Sequence, residues 1–275
     1  MWTLSGFADE IDADLDRQCA VLDELGIGHL ELRSAWNTNV LDLSDDQLAT
    51  VADTLAAHHI QVSSIGSPIG KIGVADDFDD HLRRFDRALA VADRFEAPYL
   101  RLFSFYPPAG DDPADHRDEV LRRMAALAAA AASYDVVLVH ENEKDIYGDV
   151  PDRCLDIVDS VGAPNLKLAW DPANFVQCGV RPYTDGYAKL RPHLVYMQIK
   201  DAQMASGAVV PAGEGDGELR ATVAALAADG FDGFFSMEPH LSAAGKFGGF
   251  SGAERFATAT RAFTSLLEDA GIAYA

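Results

Sequence analysis

A chain of 275 residues with 48% hydrophobic side chains can bury a large core, and a single α/β barrel runs to about 250 residues. Its formal net charge of -22 would repel phosphate backbones and anionic lipid headgroups, which argues against nucleic-acid and membrane partners and for a small solute. Three cysteines, Cys19, Cys154 and Cys178, stand at spacings that suit neither a disulfide framework nor a zinc knuckle, so a reducing cytoplasm is the expected location.

The start of the chain soon reaches Asp9, Glu10 and Asp12 and lacks the basic opening and apolar stretch of a signal peptide. The first β-rich run is Thr3–Phe7. Seven more follow at His29–Leu32, Ile60–Ile65, Tyr99–Phe103, Val136–His140, Leu166–Trp170, Leu194–Ile199 and Gly233–Met237. Segments between them place apolar residues at helical spacing: Leu15, Cys19 and Leu22; Leu48, Val51 and Leu55; Phe78, Leu82, Phe85 and Leu89; Leu121, Met124 and Leu127. Ser44 with Gln47 predicts a capping box, and Asp112 before Pro113 predicts a helix start. Gly26, Gly162 and Gly230 each close a helical run just before a strand, as a left-handed C′ residue does. The alanine-rich tract Met124–Ala132 falls short of the roughly 20 residues a membrane helix needs and reads as a packed helix.

Eight βα units without a compositional break predict one domain over 1–275. The expected fold is a closed parallel (β/α)8 TIM barrel, because right-handed crossovers put every helix outside the sheet. No G-x-G-x-x-G follows the first run, so a dinucleotide-binding sheet would lack its phosphate turn. The glycine-rich segment Ala202–Gly217 is the longest predicted βα loop, in the region where such barrels grip substrate.

Residues at the C-terminal ends of barrel strands face the mouth. The fifth run ends in His140, Glu141, Asn142 and Glu143, the sixth in Asp171 and Asn174, the seventh in Gln198, Lys200 and Asp201, and the eighth in Glu238 and His240. Carboxylates after runs five, six and eight would converge and repel one another unless a cation neutralised them. A divalent metal shared by Glu141, Asp171 and Glu238 is therefore expected. Earlier runs offer Glu31 and Arg33, then Ser64, Ser67 and Lys71, then Arg101. For Glu31, an ion pair with Arg33 or Arg101 stands level with substrate contact. Lys200 reads either as a substrate anchor or as the partner of Asp201 or Glu214, and Glu214 either as a lid residue or as part of a plain turn.

At these strand ends the chain resembles the xylose-isomerase-like sugar phosphate isomerase/epimerase superfamily. The resemblance rests on E-N after the fifth strand (Glu141, Asn142), D-P-x-N after the sixth (Asp171, Pro172, Asn174) and E-P on the eighth (Glu238, Pro239). It also rests on a strand-seven H-x-K-D motif that reads here as Gln198, Lys200 and Asp201. It implies metal ligation by Glu141, Asp171 and Glu238, with Gln198 in a histidine position. An amide oxygen there makes the donor set all oxygen, which predicts Mg2+ or Mn2+ over Zn2+.

The activity implied is an isomerase or epimerase acting on a sugar or polyol derivative by proton abstraction alpha to a carbonyl, with Glu141 and Glu238 as the acid/base pair. Expected substrate contacts are Lys200, Arg101, Lys71, Glu31, Asn174 and Glu214. An inosose-type dehydratase, which begins with the same abstraction, and a metal-poor sugar-binding barrel are the alternatives. No strong phosphate cradle is evident, so an unphosphorylated substrate is expected. Homo-oligomerisation is left open.

Overall fold

The computed structural model describes residues 1–245 and 248–275. Its eight long-ladder strands fall within one residue of the predicted runs: β1 Thr3–Gly6, β2 His29–Leu32, β3 Gln61–Ile65, β4 Tyr99–Leu102, β5 Val137–Glu141, β6 Leu166–Trp170, β7 Leu194–Ile199 and β8 Phe234–Met237. Hydrogen-bonded neighbours run β1, β8, β7, β6, β5, β4, β3, β2, and every ladder is parallel. β1 and β2 lie side by side, so the sheet curls into a nearly closed (β/α)8 barrel. Parallel strands covered on both faces are rich in apolar residues, and the polar ones within these runs, among them Ser5, Glu31, Ser63 and Arg101, are buried.

The predicted punctuation is present. Gly26, Gly162 and Gly230 have φ of 71°, 63° and 68°, a left-handed backbone that a side chain would strain. Ser44 and Gln47 bond each other's backbone N–H at 2.9 and 3.2 Å. Asp112 accepts from Ala114 N–H to open a 3-10 turn, which leads into the helix Arg117–Ala130. Leu82 and Leu121 are only half-buried. On the second of these helices Arg123 takes the buried place instead, its guanidinium 4.8 Å from the Phe78 ring and 5.3 Å from the Phe105 ring. All three cysteines are free thiols. Among the described residues no helix is long and apolar enough to cross a membrane.

Side chains alternate along a strand, so every second residue faces the barrel axis. At the N-terminal end the rings of Tyr99, Tyr196 and Phe234 pack with centroids 5.5, 6.1 and 5.9 Å apart. Above them the Ser5 and Ser63 hydroxyls lie 2.6 Å apart, and Ser63 meets the Tyr196 phenol at 2.9 Å. The next step carries a carboxylate: Glu31 Oε2 accepts from Ser236 at 2.7 Å and from Gln198 Nε2 at 2.9 Å. The axis thus turns from aromatic to hydroxylic to charged within one strand length.

Candidate active site

Two residues beyond Val139, Ala169, Gln198 and Ser236, the inward positions are Glu141, Asp171, Lys200 and Glu238. Oxygens of Glu141, Asp171 and Glu238 all lie within 4.8 Å of one another. Their exposures are 1%, 0% and 3%, so water does little to screen their mutual repulsion and buried cations must answer it. Lys200 Nζ sits 2.6 Å from Asp171 Oδ2 and 3.1 Å from Glu238 Oε2. Arg101 reaches Glu141 at 3.0 Å and Glu238 at 3.6 Å. Arg33 reaches Glu238 at 3.1 Å and Asp9 at 2.8 Å.

The two glutamates titrate in opposite directions. Burial pushes Glu141 up to about 8, with Arg101 opposing and Glu238 and Asp171 reinforcing the rise. Burial would also raise Glu238, but Lys200, His240 and Arg101 outweigh it and hold that carboxyl well below its ordinary range. Burial works against the Lys200 charge, yet Asp171 and Glu238 keep its ammonium protonated well above the usual lysine value.

Local folding fixes Asp171. It caps the short helix Pro172–Gln177, its Oδ1 accepting from Asn174 N–H at 2.9 Å. Asn142, at the end of β5, clasps its backbone from both sides, donating to the Asp171 carbonyl at 2.8 Å and accepting its N–H at 2.9 Å. Asn174 in turn donates to Glu141 Oε1 at 3.4 Å and to the Asn142 carbonyl at 3.0 Å. The donors are all oxygen, and the buried Gln198 Oε1 accepts no hydrogen bond. This chemistry fits a hard divalent cation.

The structure places the other predicted residues unevenly. Glu31 forms no ion pair within 4.0 Å with Arg33 or Arg101 among the described residues; Ser236 and Gln198 hold it instead. Lys71 lies over the Phe103 ring at 4.2 Å and pairs with Glu143 at 3.2 Å. Lys200 turns to Asp171 and Glu238 rather than to Asp201 or Glu214. Glu214 is exposed on its loop and is not brought to the cluster. Asp201 pins that loop, accepting from the N–H groups of Gly213, Gly215 and Gly217 at 2.9, 3.1 and 2.9 Å. His140 faces away from the axis toward Ser104, 2.9 Å distant, and burial lowers its ring to about 3.

Sequence reasoning missed Glu10. With Glu238 and His240 it forms a second group whose ligand atoms lie within 4.8 Å. Glu10 Oε1 is 3.2 Å from His240 Nε2, and its Oε2 accepts from Ser251 at 2.9 Å. The signal was present: Glu10 follows the first run as Glu141 closes the fifth.

Two cavities flank the mouth. One, of about 880 Å³, is lined by Tyr106, Asp111, Glu143, Lys144, Asp145 and Asp149 among others. The second, of about 330 Å³, is bounded by Lys71, Arg84, Arg101, His81 and Asn39 with glycine, proline and isoleucine. Neither is lined by Glu141, Asp171 or Glu238. The Lys71–Glu143 ion pair joins the wall of one to the wall of the other.

The model of the xylose isomerase-like TIM barrel family matches residues 19–263. A 3-dehydroshikimate dehydratase of Bacillus anthracis is 21% identical over 185 residues, covering 66% of this chain and 64% of that protein. Among solved structures, a D-tagatose 3-epimerase-like protein superposes with a TM-score of 0.79 at 14% identity over 98% of each chain. A xylose isomerase-like TIM barrel protein from Mycobacterium smegmatis in complex with magnesium gives 0.67 at 22% identity over 97% of each chain. An IOLI protein with a bound zinc atom gives 0.77 at 15% identity, covering 97% of this chain and 98% of its own.

Proposed function

We propose a reaction for this chain on the premise that it belongs to the xylose isomerase-like TIM barrel family. The reaction is removal and return of a proton alpha to a carbonyl on a small hydroxylated substrate, as an isomerase or epimerase. One observation carries the reading: carboxylates from the ends of β5, β6 and β8 meet within 4.8 Å, each answered by a buried cation. Such a cluster is costly to fold, and its natural use is to hold charge that develops during a reaction.

Glu141 and Glu238 are the proposed acid and base, reaching the substrate carbon from different strands. Lys200 and Arg101 put positive charge where an enediolate oxygen would form, and Asn142 and Asn174 keep Asp171 and Glu141 in place. A divalent ion held by Glu141, Asp171, Glu238 and the Gln198 amide oxygen would polarise the carbonyl, and oxygen donors favour Mg2+ or Mn2+ over Zn2+. Replacing Glu141 by Gln together with Asp171 by Asn should abolish stoichiometric metal. Gln198→His should tighten zinc more than magnesium in competition titrations; unchanged selectivity would take Gln198 out of the ligand set.

The test of the chemistry is incubation with ketoses and inososes in deuterated water. Deuterium should enter the alpha position with wild type, and Glu141→Gln or Glu238→Gln should slow entry on the order of 100- to 10,000-fold. Exchange that survives both substitutions would require another base. A dehydratase is the second reading, drawn from the curated dehydratase relative. It shares the first step, and product NMR separates the two by loss of water.

A further inference from the structure

We infer that the cavity of about 330 Å³ beside Arg101 is a subsite for a compact oxyanion, so that the substrate is a hydroxylated acid or phosphate ester rather than a neutral sugar. This deepens the proton-transfer reading and rests on it. The chain is strongly acidic, yet this cavity's lining holds three cationic side chains, Lys71, Arg84 and Arg101, and no carboxylate. The larger cavity is the reverse, with Asp111, Glu143, Asp145 and Asp149 against Lys144. Opposite charge on two neighbouring chambers is a sorting device for the two ends of one ligand.

Each cation is already oriented by a carboxylate behind it. Lys71 Nζ meets Glu143 at 3.2 Å, Arg84 meets Asp42 at 2.7 and 3.1 Å, and Arg101 meets Glu141 at 3.0 Å. Lys71 and Arg101 side chains are 6% and 4% exposed, so the field they cast into the cavity is poorly screened. The His81 ring has its proton position fixed: its Nε2 accepts from Gly70 N–H at 2.8 Å, leaving the neutral ring's proton on Nδ1. Gly70 has φ +88°, and a Cβ there would lie 2.0 Å from the Phe103 carbonyl oxygen, so only glycine can present that N–H. Arg101 then serves both sides, one face on the cavity and one nitrogen on Glu141. An anion seated there would lie one guanidinium from the reacting carboxylates.

The experiment is equilibrium binding to the full chain by calorimetry, with gluconate, glucose 6-phosphate and the neutral polyol glucitol as probes. One of the two anions should bind saturably and glucitol at least about tenfold more weakly, the weight of one charge-assisted hydrogen bond. Whichever anion binds identifies carboxylate or phosphate as the group. Arg84→Gln should weaken the anion by about tenfold, with Arg84→Lys recovering part of the loss. Ile72→Glu, which adds a carboxylate to the cavity wall, should abolish anion binding and spare glucitol. Equal binding of glucitol and the anions, no binding of either anion, or anion affinity indifferent to both Arg84→Gln and Ile72→Glu would overturn the inference. Because the readout is binding, its failure is distinct from that of the reaction: deuterium entry into a neutral ketose without anion binding removes only the subsite, and anion binding without exchange removes only the chemistry.

Discussion

The two ends of the barrel are built from the same eight strands and the same alternating positions, yet they are chemically unlike. At the N-terminal end, Tyr99, Tyr196 and Phe234 fill the axis with rings. At the C-terminal end, the axis holds Glu141, Asp171 and Glu238 with Lys200 and Arg101 between them. The lower end gains from each contact it makes. The upper end is a balance of opposed charges out of water, which is weak evidence for stability and better evidence for use. One fold therefore keeps its packing and its chemistry a strand length apart.

Removing a charge from the upper end should have the largest effect. Lys200→Met leaves Asp171 and Glu238 without their shared ammonium and should cost about 3–5 kcal/mol in urea denaturation with chelator present. Added Mg2+ should return much of that loss; a variant as stable as wild type in chelator would mean that Lys200 is not what balances the carboxylates. The matching cut at the lower end, Phe234→Ala, should cost about 2–3 kcal/mol, at the low end for an aromatic because the ring is half-buried, and should ignore Mg2+. Equal metal sensitivity of the two variants would erase the distinction between the ends. Tyr196→Phe, which takes the phenol from Ser63, should cost about 1 kcal/mol.

The smallest contrast near neutrality is in pH. Burial lowers His140 from 6.5 to about 3, and lowers His81 to about 4 with help from Arg123 and Arg84. The unfolded chain then takes up protons that the folded chain refuses at these two rings, so the stability they contribute is full at neutral pH and falls as pH drops below 6.5. The loss of the His81 contribution is complete below about 4 and that of the His140 contribution below about 3. Glu141, raised by burial to about 8, gains stability over the same fall in pH, so the His140 ring is read by difference: the urea midpoint of wild type should lose ground to that of His140→Gln between pH 7.5 and 5. A difference between the two proteins that held constant over that range would count against a neutral buried His140.

The strands were legible because a strand buried on both faces is a short run rich in apolar residues, even where an inward Ser5, Glu31 or Arg101 breaks it. The carboxylates were legible because each directly follows such a run. Pairings were not. Lys200 looked able to reach Asp201, its neighbour in sequence, but alternation sends consecutive side chains to opposite faces, so Lys200 enters the axis while Asp201 binds the loop. In that same loop Glu214 lies in a plain turn, its N–H on the Pro211 carbonyl at 3.0 Å, while three glycine N–H groups are gathered by one Asp201 carboxylate, a closure that composition does not announce. Glu10 joins His240 across a separation of 230 residues, and only the curl of the sheet brings them together. Cavity walls drawn from a helix, two loops and a strand leave still less trace in sequence.

The basic chamber inside an acidic molecule has a kinetic consequence. From afar, an anion meets a body of formal charge -22; only within about 8 Å, the Debye length at physiological salt, does it meet Lys71, Arg84 and Arg101. Arrival and residence therefore respond to salt in opposite senses. Added salt hides the distant repulsion and quickens encounter, while it loosens the contacts that hold the anion once seated. For such a ligand the association and dissociation rates would both rise with ionic strength.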